Sequence, residues 1–302
     1  MFSYRHAFHA GNHADVLKHM VLVQLLAYLN QKDAAYMVID THAGAGVYQL
    51  DGDYASKSGE SSEGIAKLWE RDDLPPAVAA YVDQIRGMNP AGKLRHYPGS
   101  PFLAERVMRE QDRLRLFELH PTDSRLLAEN IRKLEAHAAA NGVRSRGKRI
   151  LDERANGFAA LKALLPPPSR RGLVLIDPPY EDKDDYRKVK AALDDAKKRF
   201  VTGTYAVWYP VLGRLESQQL PERLKRIAQG DWLHVTLDIG ASDTDSRGLT
   251  ASGMFIINPP WTLEATLRDT MPWLAEVLAR DGSARFLLQS GSAAKPAKKE
   301  RE

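Results

Sequence analysis

The stretch Leu173-Val174-Leu175-Ile176-Asp177-Pro178-Pro179-Tyr180 decides the reading of this chain. Four consecutive apolar residues bounded by a turn are the signature of a strand buried on both faces, as in a parallel sheet covered by helices. The acid follows at the strand's carboxyl end, the edge at which open α/β sheets bind ligands, and two adjacent prolines fix the backbone there. An exocyclic amine on a nucleobase is a poor nucleophile because its lone pair is delocalised into the ring. A site that methylates it must accept hydrogen bonds from the amino group and hold it for attack. The Asp177 carboxylate and the Pro178 carbonyl suit both tasks, and Tyr180 offers a flat face on which an extruded base gains on the order of 1–3 kcal/mol by stacking.

Outward from this segment, similar apolar runs are expected as strands over 36–40, 114–118, 149–153, 173–177, 205–209, 232–239 and 254–258. Helical patterns over 123–140, 157–164 and 186–200 alternate with them. The last two runs are joined instead by the polar segment 240–253, which reads as a long hairpin. Five α/β units followed by an antiparallel pair make the pattern of the class I S-adenosylmethionine-dependent methyltransferase fold, a Rossmann-like seven-stranded mixed sheet with its last strand antiparallel. More than seventy residues separate the first run from the second, so 48–95 is expected as a small, mostly helical insertion into a methyltransferase domain formed by 1–47 and 96–289. Ahead of the first strand, 14–31 reads as an amphipathic helix capped near Asn12 or His13, in which the polar Lys18 and His19 stand out. The segment 290–302, small, polar and Lys-rich, is expected as a disordered basic tail.

Composition narrows the chemistry. The chain of 302 residues contains no cysteine, which excludes disulfides, thiolate nucleophiles and iron–sulfur clusters. It carries no apolar run long enough to span a bilayer and no signal peptide, so a cytoplasmic protein without membrane contact is expected. The net charge of +4 permits a nucleic-acid partner, but half of it lies in the tail, where Lys295, Lys298, Lys299 and Arg301 face only Glu300 and Glu302.

Asp40-Thr41-His42-Ala43-Gly44-Ala45-Gly46 ends the first run, and its glycines let backbone approach a ligand. The third glycine of a dinucleotide-binding fingerprint would fall at Gln49, which argues against a nicotinamide enzyme and leaves Gly44 and Gly46 as contacts to the methionine part of a methyl donor. Glu118, ending the second run, suits a ribose diol. Asn156-Gly157, after the third, suits an adenine ring or, equally, a helix cap. Ser100 either caps the helix that follows the turn Tyr97–Pro101 or bonds the cofactor. Five of the nine histidines, His6, His9, His13, His19 and His42, crowd the front of the chain. Their spacing matches no zinc motif, so no metal is expected. Tyr4, Arg5 and His6 form a basic-aromatic element of the kind that touches RNA, and Arg144, Arg146, Lys148, Arg149, Arg170 and Arg171 are candidate phosphate contacts.

Taken in order, Tyr4-Arg5-His6, Phe8 through His19, Asp40 through Gly46, Tyr97 through Pro101, Glu118 through Pro121, Asn156 through Phe158, Asp177 through Tyr180, Arg247 through Gly253 and Asn258 through Trp261 closely resemble the RlmJ family of 23S ribosomal RNA adenine-N6 methyltransferases. The resemblance implies S-adenosylmethionine as cofactor, held by Lys18, His19, His42, Ser100, Glu118, Asn156, Gly157 and Asp177. It also implies Asp177 as catalytic acid/base, Tyr4 on the RNA, and a monomer acting on 23S rRNA before ribosome assembly is complete. Family members can carry Asp at the position of Asn156, which alters the adenine contact in detail.

Overall fold

The structure, a computed structural model, describes residues 8–51, 59–140, 148–240, 249–280 and 282–292. Its main sheet contains β1 (Met37–Asp40), β4 (Arg113–Phe117), β5 (Ile150–Glu153), β6 (Gly172–Ile176), β7 (Thr204–Pro210), β8 (Trp232–Asp238), β9 (Ala251–Ile257) and β10 (Arg285–Gly291). The short β2 (Val47–Gln49) and β3 (His96–Pro98) pair with each other outside it. The order is β10-β8-β9-β7-β6-β1-β4-β5. Strands β5, β4, β1, β6 and β7 run parallel, and β9 runs antiparallel between β7 and β8. This is the expected α/β class, with all seven anticipated strands present.

The central strands show why their sequences are apolar throughout. Val38, Leu173, Leu175 and Ala206 face one core, whereas Met37, Ile39, Val174, Ile176, Tyr205 and Val207 face the other. With period 2, each strand feeds both layers, so no position is free to be polar. The first layer includes α1 (His13–Asn30), α3 (Pro76–Arg86), α4 (Ser100–Val107), α5 (Pro121–Ala140) and α9 (Leu263–Leu278). The second is built on α6 (Gly157–Leu164), α7 (Asp184–Arg199) and α8 (Leu215–Ala228). The short α2 (Ile65–Trp69) adds Ile65 and Leu68 to the first layer.

Three expectations are corrected. The sheet has eight strands rather than seven, because β10 pairs antiparallel with β8 at the edge. Most of β10 is exposed, so it lacks the apolar run that marked the others, and Ser290 and Gly291, expected in the tail, belong to it. The rest of that tail from 293 onward lies outside the described residues, as does 241–248 of the expected hairpin. The helix α1 is not amphipathic: it is buried on every side from His13 to Val23, packed between the sheet and the helices α3 and α4.

Strand direction reverses its winding at β1: the chain builds outward through β4 and β5, then returns to add β6 and β7 on the other side. The resulting crevice lies beyond the carboxyl ends of β1 and β6, the place a doubly wound sheet offers to a ligand. Asp40 ends β1 and Asp177 follows β6 by one residue.

His234 in β8 reports on the core. It is buried, bonded to the Tyr209 hydroxyl at 2.8 Å, and burial pushes its imidazole down to about 4. As pH falls from about 6.5 toward 4, the unfolded chain takes up this proton and the folded one does not, so stability is lost on acidification. Relative to His234→Gln, the unmutated protein is expected to lose about 1.4 kcal/mol of unfolding free energy per pH unit within that window, as read by denaturant titration.

Candidate active site

A cavity of about 360 Å³ opens at the β1/β6 crevice. Its walls come from the loops after four parallel strands: Thr41 to Gly44 after β1, Glu118 to His120 after β4, Ala155 to Phe158 after β5, and Asp177 to Pro179 after β6. Lys18 and His19 from α1 close one side, with Gly99 and Ser100 at the start of α4. The sequence-predicted residues Lys18, His19, His42, Gly44, Ser100, Glu118, Asn156, Gly157, Asp177 and Pro178 therefore meet in one place, although they span 160 positions of the chain.

Each is positioned locally. Gly44 takes φ of +59°, a backbone region that favours glycine, and its amide donates to Glu118 at 2.9 Å. The other Glu118 oxygen accepts the His120 amide at 2.6 Å, which orients the carboxylate and leaves acceptor capacity toward the cavity. Burial nevertheless pushes its carboxyl upward. Asn156 caps α6 by accepting the Ala159 amide at 3.2 Å, and it also lines the cavity. At Gly157 a Cβ would lie 2.2 Å from the Thr41 carbonyl oxygen; only glycine lets α6 approach the β1 loop so closely. His42 shares a 2.8 Å hydrogen bond with the Thr41 hydroxyl and meets Phe158 edge-on at 4.8 Å. Burial drives its imidazole down to about 3, so it is neutral at physiological pH. Ser100 does not cap α4, whose cap is Gly99; its hydroxyl donates to Asp40 at 2.6 Å. Burial raises Asp40 to about 6.

The decisive contact is Lys18. Its ammonium lies 2.6 Å from Asp177 Oδ2 and 2.8 Å from Asp15 Oδ1, with the ring of Trp208 at 5.7 Å. Burial alone would lower its pKa, but the two carboxylates reverse that and hold the lysine charged. Asp15 and Asp40 were not singled out from the sequence. For Asp15 a signal existed: Asp15, Lys18 and His19 fall at i, i+3 and i+4 in an otherwise apolar helix, where buried polar groups must find one another.

Two expected residues stand elsewhere. Tyr180 is 2% exposed and does not line the cavity. Its φ of +53° turns the ring into the second core between Tyr186 and Trp208, with its hydroxyl donating to the Trp208 carbonyl at 2.8 Å, so its face is not offered to a base. Gly46 also lies off the cavity; a Cβ there would strike Phe102 at 2.9 Å, so it serves packing. Arg170 and Arg171 precede β6, and Lys148 and Arg149 precede β5, which puts them at the sheet edge opposite Asp177. Arg149 is bound to Glu105 at 2.8 Å and to backbone carbonyls. Tyr4, Arg5, His6, Arg144 and Arg146 lie outside the described residues.

The lining carries six carboxylates, Glu118, Asp123, Asp177, Glu181, Asp182 and Asp185, against the ammonium groups of Lys18 and Lys188. Such a site favours a cationic ligand. Residues 33–287 match the family described as Ribosomal RNA large subunit methyltransferase D, RlmJ. The chain belongs to the RlmJ family. Over 283 residues it is 47% identical to the ribosomal RNA large subunit methyltransferase J of Escherichia coli, covering 94% of this chain and 96% of the relative. The protein of the same name from Haemophilus influenzae is 45% identical over 290 residues, covering 96% and 98% of the two chains. A crystal structure of a Legionella pneumophila protein superposes with a TM-score of 0.82 at 35% identity, covering 94% of this chain and 99% of that one.

The cofactor of this methyltransferase family member is S-adenosylmethionine, and the cavity fits it. The carboxylate excess suits the sulfonium charge, Glu118 has acceptor capacity for hydroxyls, and Leu119, Ala155 and Phe158 give apolar surface beside the Asn156 amide for an adenine. Gly157→Ala is expected to push α6 off the β1 loop, weakening S-adenosylmethionine binding about tenfold by calorimetry and costing about 1–3 kcal/mol of stability in denaturant unfolding.

Proposed function

We propose that this protein methylates the exocyclic N6 of one specific adenine in 23S ribosomal RNA, acting as a cytoplasmic monomer on RNA that is protein-free or early in assembly. The observation that carries the reading is Asp177 followed by Pro178 and Pro179 at the rim of the cavity, with the carboxylate ion-paired to Lys18. Both relatives are named as large-subunit ribosomal RNA methyltransferases, which supports ribosomal RNA as the substrate.

S-adenosylmethionine, when bound, supplies an electrophilic methyl group on a positively charged sulfur. Glu118, Asn156 and Gly157 would hold its nucleoside, and Gly44, His42, His19, Ser100 and Lys18 its amino-acid part. The chain's own task is to present the amine. A flipped or single-stranded adenine donates its N6 hydrogens to Asp177 and to the Pro178 carbonyl, which turns the nitrogen lone pair toward the methyl group. As the N–CH3 bond forms and the S–CH3 bond breaks, positive charge grows on N6. The Asp177 carboxylate stabilises it and takes the proton that must leave. No covalent bond to the enzyme is required. Tyr4, Arg5 and His6 are assigned to the RNA. Because Tyr180 is buried, we assign its ring to supporting the Asp-Pro-Pro turn, with base stacking left to residues ahead of α1.

The test is transfer of labelled methyl from S-adenosylmethionine to protein-free 23S rRNA, followed by digestion and nucleoside analysis. Label in N6-methyladenosine is expected, with a loss of about 10²–10⁴-fold per folded molecule in Asp177→Asn, its fold checked by circular dichroism. Label in DNA alone, in another nucleoside, or at an undiminished rate in Asp177→Asn overturns the reading.

A further inference from the structure

Asp15 is 1% exposed and does not line the cavity, yet it is joined to Asp177 through a single ammonium group. Its Oδ2 accepts the Gly11 amide at 2.9 Å, and its own amide donates to the Asn12 side chain at 3.0 Å. Its Oδ1 accepts the Lys18 ammonium at 2.8 Å and stands 4.0 Å from His19 Nε2. The opposite ring nitrogen of His19 shares a 2.7 Å hydrogen bond with the Tyr97 hydroxyl, which meets the Tyr81 hydroxyl at 2.8 Å. Among the described residues, Tyr48, Tyr81 and Tyr97 from the insertion side, His9 ahead of α1 and Asp40 at the end of β1 are further titratable groups whose ionisation feels Asp15 or Lys18.

A buried ion pair is a poor device for stability, because desolvation offsets most of its attraction. Its value here is geometric. An ammonium facing Asp177 alone would be drawn wholly onto that carboxylate, occupying its acceptor sites and cancelling the charge needed by the amine. Shared with a second, rigidly held carboxylate, it orients Asp177 and leaves it negative.

We propose that Asp15 is a positioning residue for methyl transfer, fixing and neutralising Lys18 so that Asp177 is oriented without losing its charge toward the adenine amine. The proposal rests on the reading of Asp177 as the group that accepts that amine. It is tested by kcat at saturating S-adenosylmethionine and protein-free 23S rRNA for Asp15→Asn, Asp15→Glu, Lys18→Met and the double variant Asp15→Asn/Lys18→Met, with Asp177→Ala alongside. Asp15→Asn, which keeps an acceptor for the Gly11 amide, is expected to lower kcat about tenfold or more, and Asp15→Glu to recover part of the loss. Because Asp15 acts through Lys18, the double variant is expected to be no slower than Lys18→Met. Each variant's folded fraction is read by circular dichroism and kcat is taken per folded molecule, so that a folding defect in Asp15→Asn, or in Lys18→Met, which leaves Asp15 without its ammonium, is separated from a loss of rate. Full rate in Asp15→Asn, or losses that multiply in the double variant, overturns the proposal. An active Asp177→Ala overturns the underlying assignment instead; an inactive one combined with multiplying losses removes only the role of Asp15.

Discussion

One buried ammonium ties the architecture to the chemistry. Lys18 projects from a helix that is otherwise packed on all sides by apolar groups, and it ends between Asp15 of its own helix and Asp177 beyond β6. Leaving any of these three charges without its partner in such surroundings would cost several kcal/mol, so the helix and the strand end must arrive together. This explains how an N-terminal helix, 159 residues away from Asp177 in sequence, comes to be a wall of the site. It also explains why α1 is central rather than peripheral: its apolar surface is covered by the sheet on one side and by α3 and α4 on the other.

The electrostatic balance of the cavity follows from the same arrangement. Carboxylates outnumber ammonium groups on its lining, and the imidazole of His42 is kept neutral by burial, so the field there favours a cation. Methyl transfer removes the sulfonium charge from the cofactor. Asp40, buried and raised to about 6, serves this architecture differently: it anchors Ser100 and the His42 amide, tying α4 to the β1 loop.

What the sequence disclosed, it disclosed through patterns with one physical cause. Strands sandwiched between two layers are largely apolar, and β1, β6, β7 and β9 announced themselves that way. The place of Asp177-Pro178-Pro179 at a strand's carboxyl end was legible because an apolar run stops there at an acid and two prolines, and Gln49 told against a dinucleotide fingerprint. β10 was not legible, since an edge strand with mostly exposed side chains carries no alternation to distinguish it from a tail. Gly46 and Tyr180 show the limit of motif reading: a glycine can be demanded by Phe102 and Leu127 as well as by a ligand, and a tyrosine next to the Asp-Pro-Pro turn can be spent on the core. Asp15 was partly hidden for a related reason. The i, i+3 and i+4 spacing of Asp15, Lys18 and His19 marks a polar cluster on an apolar helix, but the contact of Lys18 with Asp177 on a distant strand end is not encoded by any spacing.

The central claim is that the crevice beyond β1 and β6 holds the methyl donor with its reactive end beside Asp177. The most direct measurement is a crystal structure of the protein with sinefungin, which carries an amine in place of the transferable methyl. The account predicts density in the cavity with the ribose against Glu118 and the amine facing the Asp177 carboxylate. Density at another surface, or a molecule in this cavity with its amine turned away from Asp177, would contradict it.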